Sequence, residues 1–266
     1  MRNMAKIAII NLKGGVGKSV TTCNLACVLA GVHARRVLVM DLDKQANTSK
    51  FFNCVPADNE KSMADVLTLS ASLSDVITQT GFKGIDIAPS NMQMLLANKN
   101  VMFDLAHRRE DRIRRALYAY SSEYDYCIID CPPDIDMATI NALVAADWTI
   151  IPIDCDEWAL DGLREILSQI RDIRIEYNEG LEIMGTLATK YDRGRYSVRT
   201  INQLVNLGIP TIQDDDDSVL RIDTSVRVKE AKAAHSPLYK YCPKCRPAAQ
   251  YLTLAKRVIE IAEGQR

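Results

Sequence analysis

Short apolar runs alternate with longer amphipathic segments along most of the chain. Runs that are apolar at every position are typical of strands covered on both faces, and a three-to-four spacing is typical of helices. The predicted strands are residues 6–11, 36–41, 85–88, 126–130, 149–153, 183–189 and 209–212. The predicted helices are residues 19–32, 103–120, 137–145, 160–177, 198–207 and 248–263. This order predicts an α/β fold with a mainly parallel β-sheet flanked by helices on both faces.

Chain length limits the number of domains, and net charge limits the kinds of binding partner. The 266 residues suffice for one large α/β domain, and we expect a single domain over residues 1–266. The net charge of −1 gives no overall attraction to nucleic acid or membrane. However, residues 190–266 carry 14 Lys and Arg against 9 Asp and Glu, four of them in the run 214–217, which we expect to be a surface loop. The basic excess indicates either a binding patch or an ordinary solvated surface.

The cysteines and the chain start point to a reducing compartment. Most of the eight cysteines lie in apolar runs, where a free thiol behaves as a small hydrophobe. The N-terminal residues lack the apolar region and cleavage site of a signal peptide. No apolar run approaches the about 20 residues that a membrane span needs. We therefore expect a cytoplasmic protein.

Residues 13–19 read KGGVGKS and lie between the first predicted strand and the first predicted helix. Glycines in this context let backbone N–H groups approach phosphates, and the helix N-terminus adds partial positive charge. Lys18 would neutralise the β- and γ-phosphates of ATP, and the Ser19 hydroxyl would ligate Mg²⁺. Leu12 replaces the first glycine of the usual phosphate-loop pattern. The predicted nucleotide-binding residues here are Lys13, Gly14, Gly15, Val16, Gly17, Lys18, Ser19 and Val20.

The loop sequence is similar to the deviant Walker A motif of the ParA/MinD/nitrogenase-iron-protein superfamily. The resemblance implies a single-domain P-loop NTPase with ATPase activity. It also implies that Lys13 reaches across an ATP sandwich homodimer to the phosphates on the partner, where a cation stabilises the transition state. Hydrolysis would then be coupled to dimerisation. The alternative for Lys13 is a solvated loop lysine.

Acidic residues follow two of the other predicted strands. Asp41 and Asp43 end the second, and Asp130 ends the run YCIID. Ligands of open α/β sheets bind at the carboxyl ends of the strands, so these acids should face the phosphate loop. DLDKQANTS resembles the family segment DLDPQGNAT, with Lys44 and Ala46 in place of Pro and Gly. This match implies that Asp43 is catalytic and positions or activates the attacking water, and that Asp41 supports the Mg²⁺ shell. YDYCIIDCPP resembles the family segment YDYIIIDCPP, which implies that the Walker B residue Asp130 holds Mg²⁺ directly or through water.

The resemblance extends from about residue 6 to residue 261 and is closest to the short ParA form, also called Soj. It implies non-specific DNA binding by the ATP dimer, stimulation by a ParB-like centromere-binding protein and association with the nucleoid. KYDRGRYS and SVRVKEA resemble family segments that carry DNA-binding arginines, which nominates Arg193, Arg195 and Arg227 as phosphate contacts. Asp223 and Ser225 stand where the family has adenine-side contacts, and they are assigned to the nucleotide.

Three other functions stay open at the sequence level. Cys242-Pro-Lys-Cys245 is compatible with an iron–sulfur carrier of the same superfamily, with a structural zinc site or with two free thiols. A MinD-like positioning ATPase would need a membrane-binding C-terminal helix, whereas residues 248–263 have a spacing suited to packing on the domain, so we expect no membrane partner. A regulator that binds nucleotide without turnover is the third. The sequence does not identify the cargo, whether chromosome, plasmid or mobile element.

Overall fold

The computed structural model describes residues 4–156 and 159–264. The described strands form one eight-stranded sheet in the order β3-β4-β2-β5-β1-β6-β7-β8. All neighbours are parallel except β3, which runs antiparallel to β4. The strands are β1 Ala5–Ile9, β2 Val37–Asp41, β3 Thr78–Gln79, β4 Ile85–Ala88, β5 Tyr126–Asp130, β6 Trp148–Asp154, β7 Glu182–Tyr191 and β8 Arg221–Asp223. The predicted mainly parallel α/β architecture is confirmed.

Helices cover both faces of the sheet, and on each face an apolar core lies between the helices and the sheet. Strand residues alternate between the two cores: Ile7 and Ile9 join one cluster, and Ala8 and Ile10 join the other. The first core is closed mainly by α1, α10 and α11, and the second by α3 to α7. The helices are α1 Lys18–Gly31, α2 Asn47–Phe51, α3 Met63–Leu67, α4 Met94–Met102, α5 Arg112–Tyr118, α6 Met137–Ala145, α7 Ala159–Glu176, α8 Arg195–Asn206, α9 Val226–Ala233, α10 Leu238–Tyr241 and α11 Arg246–Gly264.

The strand order places β1 between β5 and β6, at the middle of the sheet. Its carboxyl end opens into the glycine-rich loop that leads to α1. In the β2–β5 ladder Asp41 lies directly opposite Asp130. The fold therefore brings the phosphate-loop motif and two strand-end acids to one edge of the sheet, hereafter the carboxyl edge.

The predicted helix over residues 103–120 is wrong. Helix α4 ends before it, and α5 covers only its last part. The Asp104 carboxylate accepts hydrogen bonds from the N–H groups of Ala106 and His107 at 2.8 and 3.2 Å, which turns the chain. The buried Arg112 side chain then donates to the Leu67 carbonyl and to Asp104, at 2.9 and 2.6 Å. These local and long-range bonds outweigh the helical pattern of the sequence.

The predicted strand over residues 209–212 is reduced to an isolated bridge between Thr186 and Thr211. The chain turns back on itself after this point, and the Ile212 carbonyl accepts from the Leu220 N–H at 2.7 Å instead of from the sheet. The edge strand is β8, which the sequence pattern did not predict. The acidic run 214–217 forms the tip of this turn, as expected, and Asp215 pairs with Lys256 of α11 at 2.7 Å.

Arg112 provides a test of the connection between α4 and α5. Replacing it with alanine leaves the Leu67 carbonyl and the Asp104 carboxylate without their donor, so Arg112→Ala should lower the free energy of unfolding by about 3 kcal/mol. Urea denaturation followed by circular dichroism measures this. The exposed Arg108 is the matched control, and Arg108→Ala should change stability by no more than about 0.5 kcal/mol. Equal effects of the two substitutions would contradict a structural role for the buried guanidinium.

Candidate nucleotide-binding site

The loop between β1 and α1 has the backbone of an anion-binding nest. Gly15 and Gly17 have φ angles of 78° and 94°, in the left-handed region that favours glycine. Gly17 is also the N-cap residue of α1, so the loop runs directly into the first turn of the helix. The N–H groups of this turn lack helical partners and point out of the helix end. Loop and helix together can therefore hold a phosphate group.

Two polar side chains that the sequence did not single out support the loop. Asn11 donates from Nδ2 to the Pro152 carbonyl at 2.7 Å, and its Oδ1 accepts from the Lys13 N–H at 2.8 Å. The Thr189 hydroxyl of β7 donates to the Val16 carbonyl at 2.8 Å. Both contacts fix the loop to strands on the β6 and β7 side of the sheet. A buried threonine in a predicted strand was the only sequence signal for Thr189.

Lys18 places its ammonium group inside the loop. The side chain is 7% exposed, and Nζ donates to the carbonyls of Asn11 and Lys13 at 2.8 and 3.3 Å. Burial lowers the pKa of Lys18, and the negative charge of Asp130 partly offsets this effect. Both of these hydrogen-bond acceptors are neutral carbonyl oxygens, which a phosphate oxygen can replace as the stronger acceptor.

Asp41 and Asp130 form a buried pair of acids at the carboxyl edge. Both are fully buried. Asp41 accepts from the Ser49 N–H and hydroxyl at 2.8 and 2.7 Å, and Asp130 accepts from the Thr48 hydroxyl at 2.7 Å. Burial raises the pKa of both, and the charge of Asp130 further raises the pKa of Asp41. Two acids with this tendency to neutralise need a cation close by to stay ionised.

The arrangement around Asp130 fits Mg²⁺. Within the described residues, Asp130 Oδ1 is buried and has no hydrogen-bond partner at bonding distance. The Ser19 hydroxyl lies close enough to lower the pKa of this carboxyl group. A free carboxylate oxygen and a hydroxyl are ligands that Mg²⁺ accepts beside substrate phosphates. The described part of the chain has no group of three or more His, Cys, Asp or Glu that would hold a metal by itself, and a phosphate-bound Mg²⁺ does not need one.

Asp43 lies on the loop that follows β2, at the rim of the same site. It is 8% exposed, and its Oδ1 accepts from the Gln45 N–H at 2.9 Å. Ala46 has a φ angle of 50°, in the left-handed region, which explains why glycine suits this position in the resembling segment. Lys44 Nζ lies 3.7 Å from the carboxylate of Asp134. The loop that holds Asp43 is thus tied to the loop after β5.

Lys13 points away from its own phosphate loop. Its Nζ forms an ion pair with the Asp156 carboxylate, and both side chains are 39% exposed. The pair lies beside the site, at the level where β6 ends. Lys13 is therefore accessible to a second molecule at the carboxyl edge.

The other two assigned nucleotide residues use their polar groups locally. Asp223 accepts from Gln250 Nε2 at 3.0 Å and lies 3.6 Å from Arg246. The Ser225 hydroxyl caps α9 by accepting from the N–H of residue 227 at 3.2 Å. Asp223 is the last residue of β8 and Ser225 follows this strand, and β6 and β7 separate β8 from β1. Val20 lies nearer to the loop and lines a pocket with Ser19 between α1, α2 and α9.

The three nominated arginines also lie at the carboxyl edge. Arg193 and Arg195 are exposed and follow β7, and the exposed Arg227 is in α9, which follows β8. The Thr224 N–H donates to the Tyr191 carbonyl at 2.8 Å, so the two segments leave neighbouring strands at one level. The structure thus places these arginines on one side of the edge that carries the phosphate loop.

Comparisons with known proteins show which family the chain resembles. A family model described as an AAA domain, AAA_31, matches residues 4–183. The sporulation initiation inhibitor protein Soj of Bacillus subtilis is 38% identical over 95% of this chain and 97% of its own length. The chromosome partitioning protein ParA of Caulobacter vibrioides is 34% identical over 95% of this chain and 93% of its own length.

A solved structure has a similar fold. The cobyrinic acid a,c-diamide synthase of Mycobacterium smegmatis, crystallised with an ATP analogue and magnesium, superposes with a TM-score of 0.84 at 26% identity, over 99% of this chain and 97% of that one. No helix in the described part of the present chain has the length and apolarity to cross a membrane. The chain belongs to the Soj and ParA family of chromosome partitioning proteins, within the ParA/MinD superfamily of P-loop ATPases.

Proposed function

We propose that this protein is a DNA-partition ATPase that binds and slowly hydrolyses MgATP, forms an ATP sandwich homodimer, and binds DNA non-specifically as that dimer. The observation that carries the proposal is the phosphate loop with Lys18 inside it and Asp41 and Asp130 in register on neighbouring strands. The relatives Soj and ParA match nearly the whole chain, which supports a function in DNA partition.

Nucleotide binding would use the loop as it stands. Backbone N–H groups of the nest and of the first turn of α1 would hold the phosphates. The Lys18 ammonium would exchange its two carbonyl acceptors for phosphate oxygens. Ser19 and the unpartnered oxygen of Asp130 would hold Mg²⁺, with Asp41 in support. The ion supplies neutralisation of charge on the phosphates when it is bound.

Hydrolysis would depend on Asp43 and Lys13. Asp43 is close to the buried acids yet reaches the rim, so it can orient a water toward the γ-phosphate. Lys13 would leave Asp156 and contact the phosphates on the other subunit. A chain that supplies one lysine to its partner and receives another becomes active only as a dimer, which couples turnover to assembly.

DNA binding would use the arginines at the β7 and β8 ends. Arg193, Arg195 and Arg227 are exposed at the carboxyl edge, which the proposed dimer would present beside its nucleotides. Contacts to phosphate groups give affinity without sequence preference. We therefore expect a cytoplasmic, nucleoid-associated protein whose turnover is stimulated by a ParB-like partner.

The C-terminal helix favours this function over a membrane-bound positioning ATPase. The apolar side chains of α11 are buried in the core, including Ala248, Tyr251, Leu254 and Val258. An apolar face that packs on the protein is not available for a lipid surface. No corresponding observation favours an iron–sulfur carrier, because a single chain offers two thiols at residues 242 and 245.

Measuring the molecular mass with ATP, with ADP and without nucleotide tests dimerisation, and measuring phosphate release tests the ATPase activity. Lys18→Ala should abolish nucleotide binding, because the loop loses its internal cation. Asp43→Ala should still bind ATP and should accumulate as a dimer, because the water is no longer activated. Turnover should fall by at least about a hundredfold in both variants. Light scattering with size exclusion and a phosphate-release assay give the two readouts.

Lys50 is a suitable control for these variants. It is exposed in α2 near the site and donates to the Gln45 carbonyl, so Lys50→Ala should retain ATP binding, dimerisation and turnover. Normal hydrolysis by Asp43→Ala would exclude its catalytic assignment. A monomer in ATP would exclude the sandwich mechanism.

Arg227→Glu tests the DNA surface. The substitution should weaken DNA retention of the ATP-bound protein at low salt and should reduce the slope of log K against log salt by about 1 per subunit. ATP binding should be unchanged, since Arg227 is outside the phosphate loop. Filter retention of random-sequence duplex over a salt series measures both quantities.

Arg171→Glu is the matched control, because Arg171 is more exposed than Arg227 and lies on α7. It changes the net charge by the same amount. If both variants lose the same affinity, total charge and not a local contact explains the binding. If neither loses any, Arg227 does not belong to the DNA surface.

A further inference from the structure

Cys242-Pro-Lys-Cys245 is the sequence motif that the proposed ATPase leaves without a role. It forms the connection between α10 and α11. The Cys245 N–H donates to the Cys242 carbonyl at 3.0 Å and closes a four-residue turn. The first and fourth Cα atoms of such a turn are less than about 7 Å apart, which is close to the span of a disulfide. The backbone already has the fold that a bond between these two residues needs.

The two thiols are neighbours and partly exposed. Cys242 and Cys245 are the first and last residues of one hydrogen-bonded turn, and neither is buried. Burial, together with the neighbouring Cys242, raises the pKa of Cys245, which also packs against the apolar core. All eight cysteines are free, and apart from this pair only Cys54 is not buried. Within the pair Cys242 is the thiol better placed to react first.

Arg227 lies near Cys242. Glu230 raises the pKa of Arg227, and Cys242 is near enough to add a smaller effect of the same sign. Arg227 binds Glu230 at 2.7 Å, and the Tyr241 hydroxyl donates to the same carboxylate at 3.4 Å. Lys244 lies within the motif itself. A partly exposed position beside a cation is typical of reactive cysteines.

Two features favour disulfide chemistry over a metal. Four ligands are usual for structural zinc, and the described residues offer no third His, Cys, Asp or Glu beside this pair. A disulfide needs only the two thiols. Because it would close a very short loop, it would add little stability and would stay easy to reduce. These properties suit a reversible exchange site better than a structural crosslink.

We propose that Cys242 and Cys245 form a thiol–disulfide exchange site for small disulfide molecules. The Cys242 thiolate attacks one sulfur of the small disulfide, forms a mixed disulfide and releases one thiolate. The Cys245 thiolate then attacks the Cys242 sulfur of that bond and releases the second. Two protein thiols are oxidised and the small disulfide is reduced to two thiols, with the protons passed to solvent or to the leaving groups.

DNA would control access to this site. This part rests on the proposed function, because it requires DNA to contact Arg227. A duplex seated on that guanidinium would cover the neighbouring Cys242. Exchange should therefore be several-fold slower in the DNA-bound dimer than in the free protein.

Exchange with hydroxyethyl disulfide, a neutral probe, tests the site on the whole protein. Intact mass after quenching should show the loss of two hydrogens, and peptide mapping should place the bond between Cys242 and Cys245. A reductant should reverse it. Cys245→Ser should keep a mixed disulfide on Cys242, whereas Cys54→Ser should behave as the wild type. Both cysteines remaining reduced, or each keeping its own adduct, would overturn the exchange site.

The same exchange with ATP and random-sequence duplex tests the control by DNA, with ADP and duplex as the matched control. DNA retention is measured on each sample. A slower reaction in the ATP sample that is retained on DNA supports coverage of Cys242. An equal rate in a retained sample overturns the coverage but leaves the exchange site. Loss of DNA retention in every sample would contradict the proposed function, and the DNA-free reaction would still decide the exchange site.

Discussion

The structure depends on the charge balance among Asp41, Asp130 and Lys18. Two adjacent parallel strands end in fully buried acids, and burial favours their neutral forms. Lys18 is also buried, and burial disfavours its charged form in turn. The opposite charges of Lys18 and Asp130 partly offset the cost of burying each other, and the hydroxyls of residues 48 and 49 each donate to one oxygen of Asp130 and Asp41 respectively. The short helix α2 supplies both hydroxyls, so this helix completes the site while its Phe51 packs in the apolar core.

The central strands of the sheet could be predicted from the sequence, whereas the two edge strands could not. Strands such as β5 are buried on both faces and are therefore apolar at every position, which is a strong local pattern. Strands β3 and β8 have two and three residues, too few to show any period. Their pairing is set by contacts with β4 and β7. The loop before α5 escaped prediction for a related reason, since Asp104 and Arg112 act through hydrogen bonds and not through apolar spacing.

The candidate site also contains some residues that the sequence predicts and others that only the structure reveals. The glycine loop and the strand-end acids are adjacent in sequence to strong patterns, and the structure brings them together. Thr189 is a polar residue in an apolar strand and Asn11 follows one, and nothing near them in sequence shows what they bind. Thr189 contacts Val16 across 173 positions of the chain. Asp223 was assigned from position alone, but its carboxylate is used by Gln250 and Arg246, which only the packing of α11 on β8 reveals.

In the proposed sandwich dimer, the pairing of Lys13 with Asp156 would let the γ-phosphate of ATP control assembly. Both side chains are more than a third exposed, and an ion pair of this kind contributes at most about 1 kcal/mol. This ion pair holds Lys13 away from the phosphate loop of its own chain. It is too weak to prevent Lys13 from binding a stronger anionic partner. A γ-phosphate in a desolvated interface is such a partner, because charge-assisted contacts strengthen as water is excluded. ADP lacks that group, so only the triphosphate would draw the lysine across, and its hydrolysis would return the lysine to Asp156.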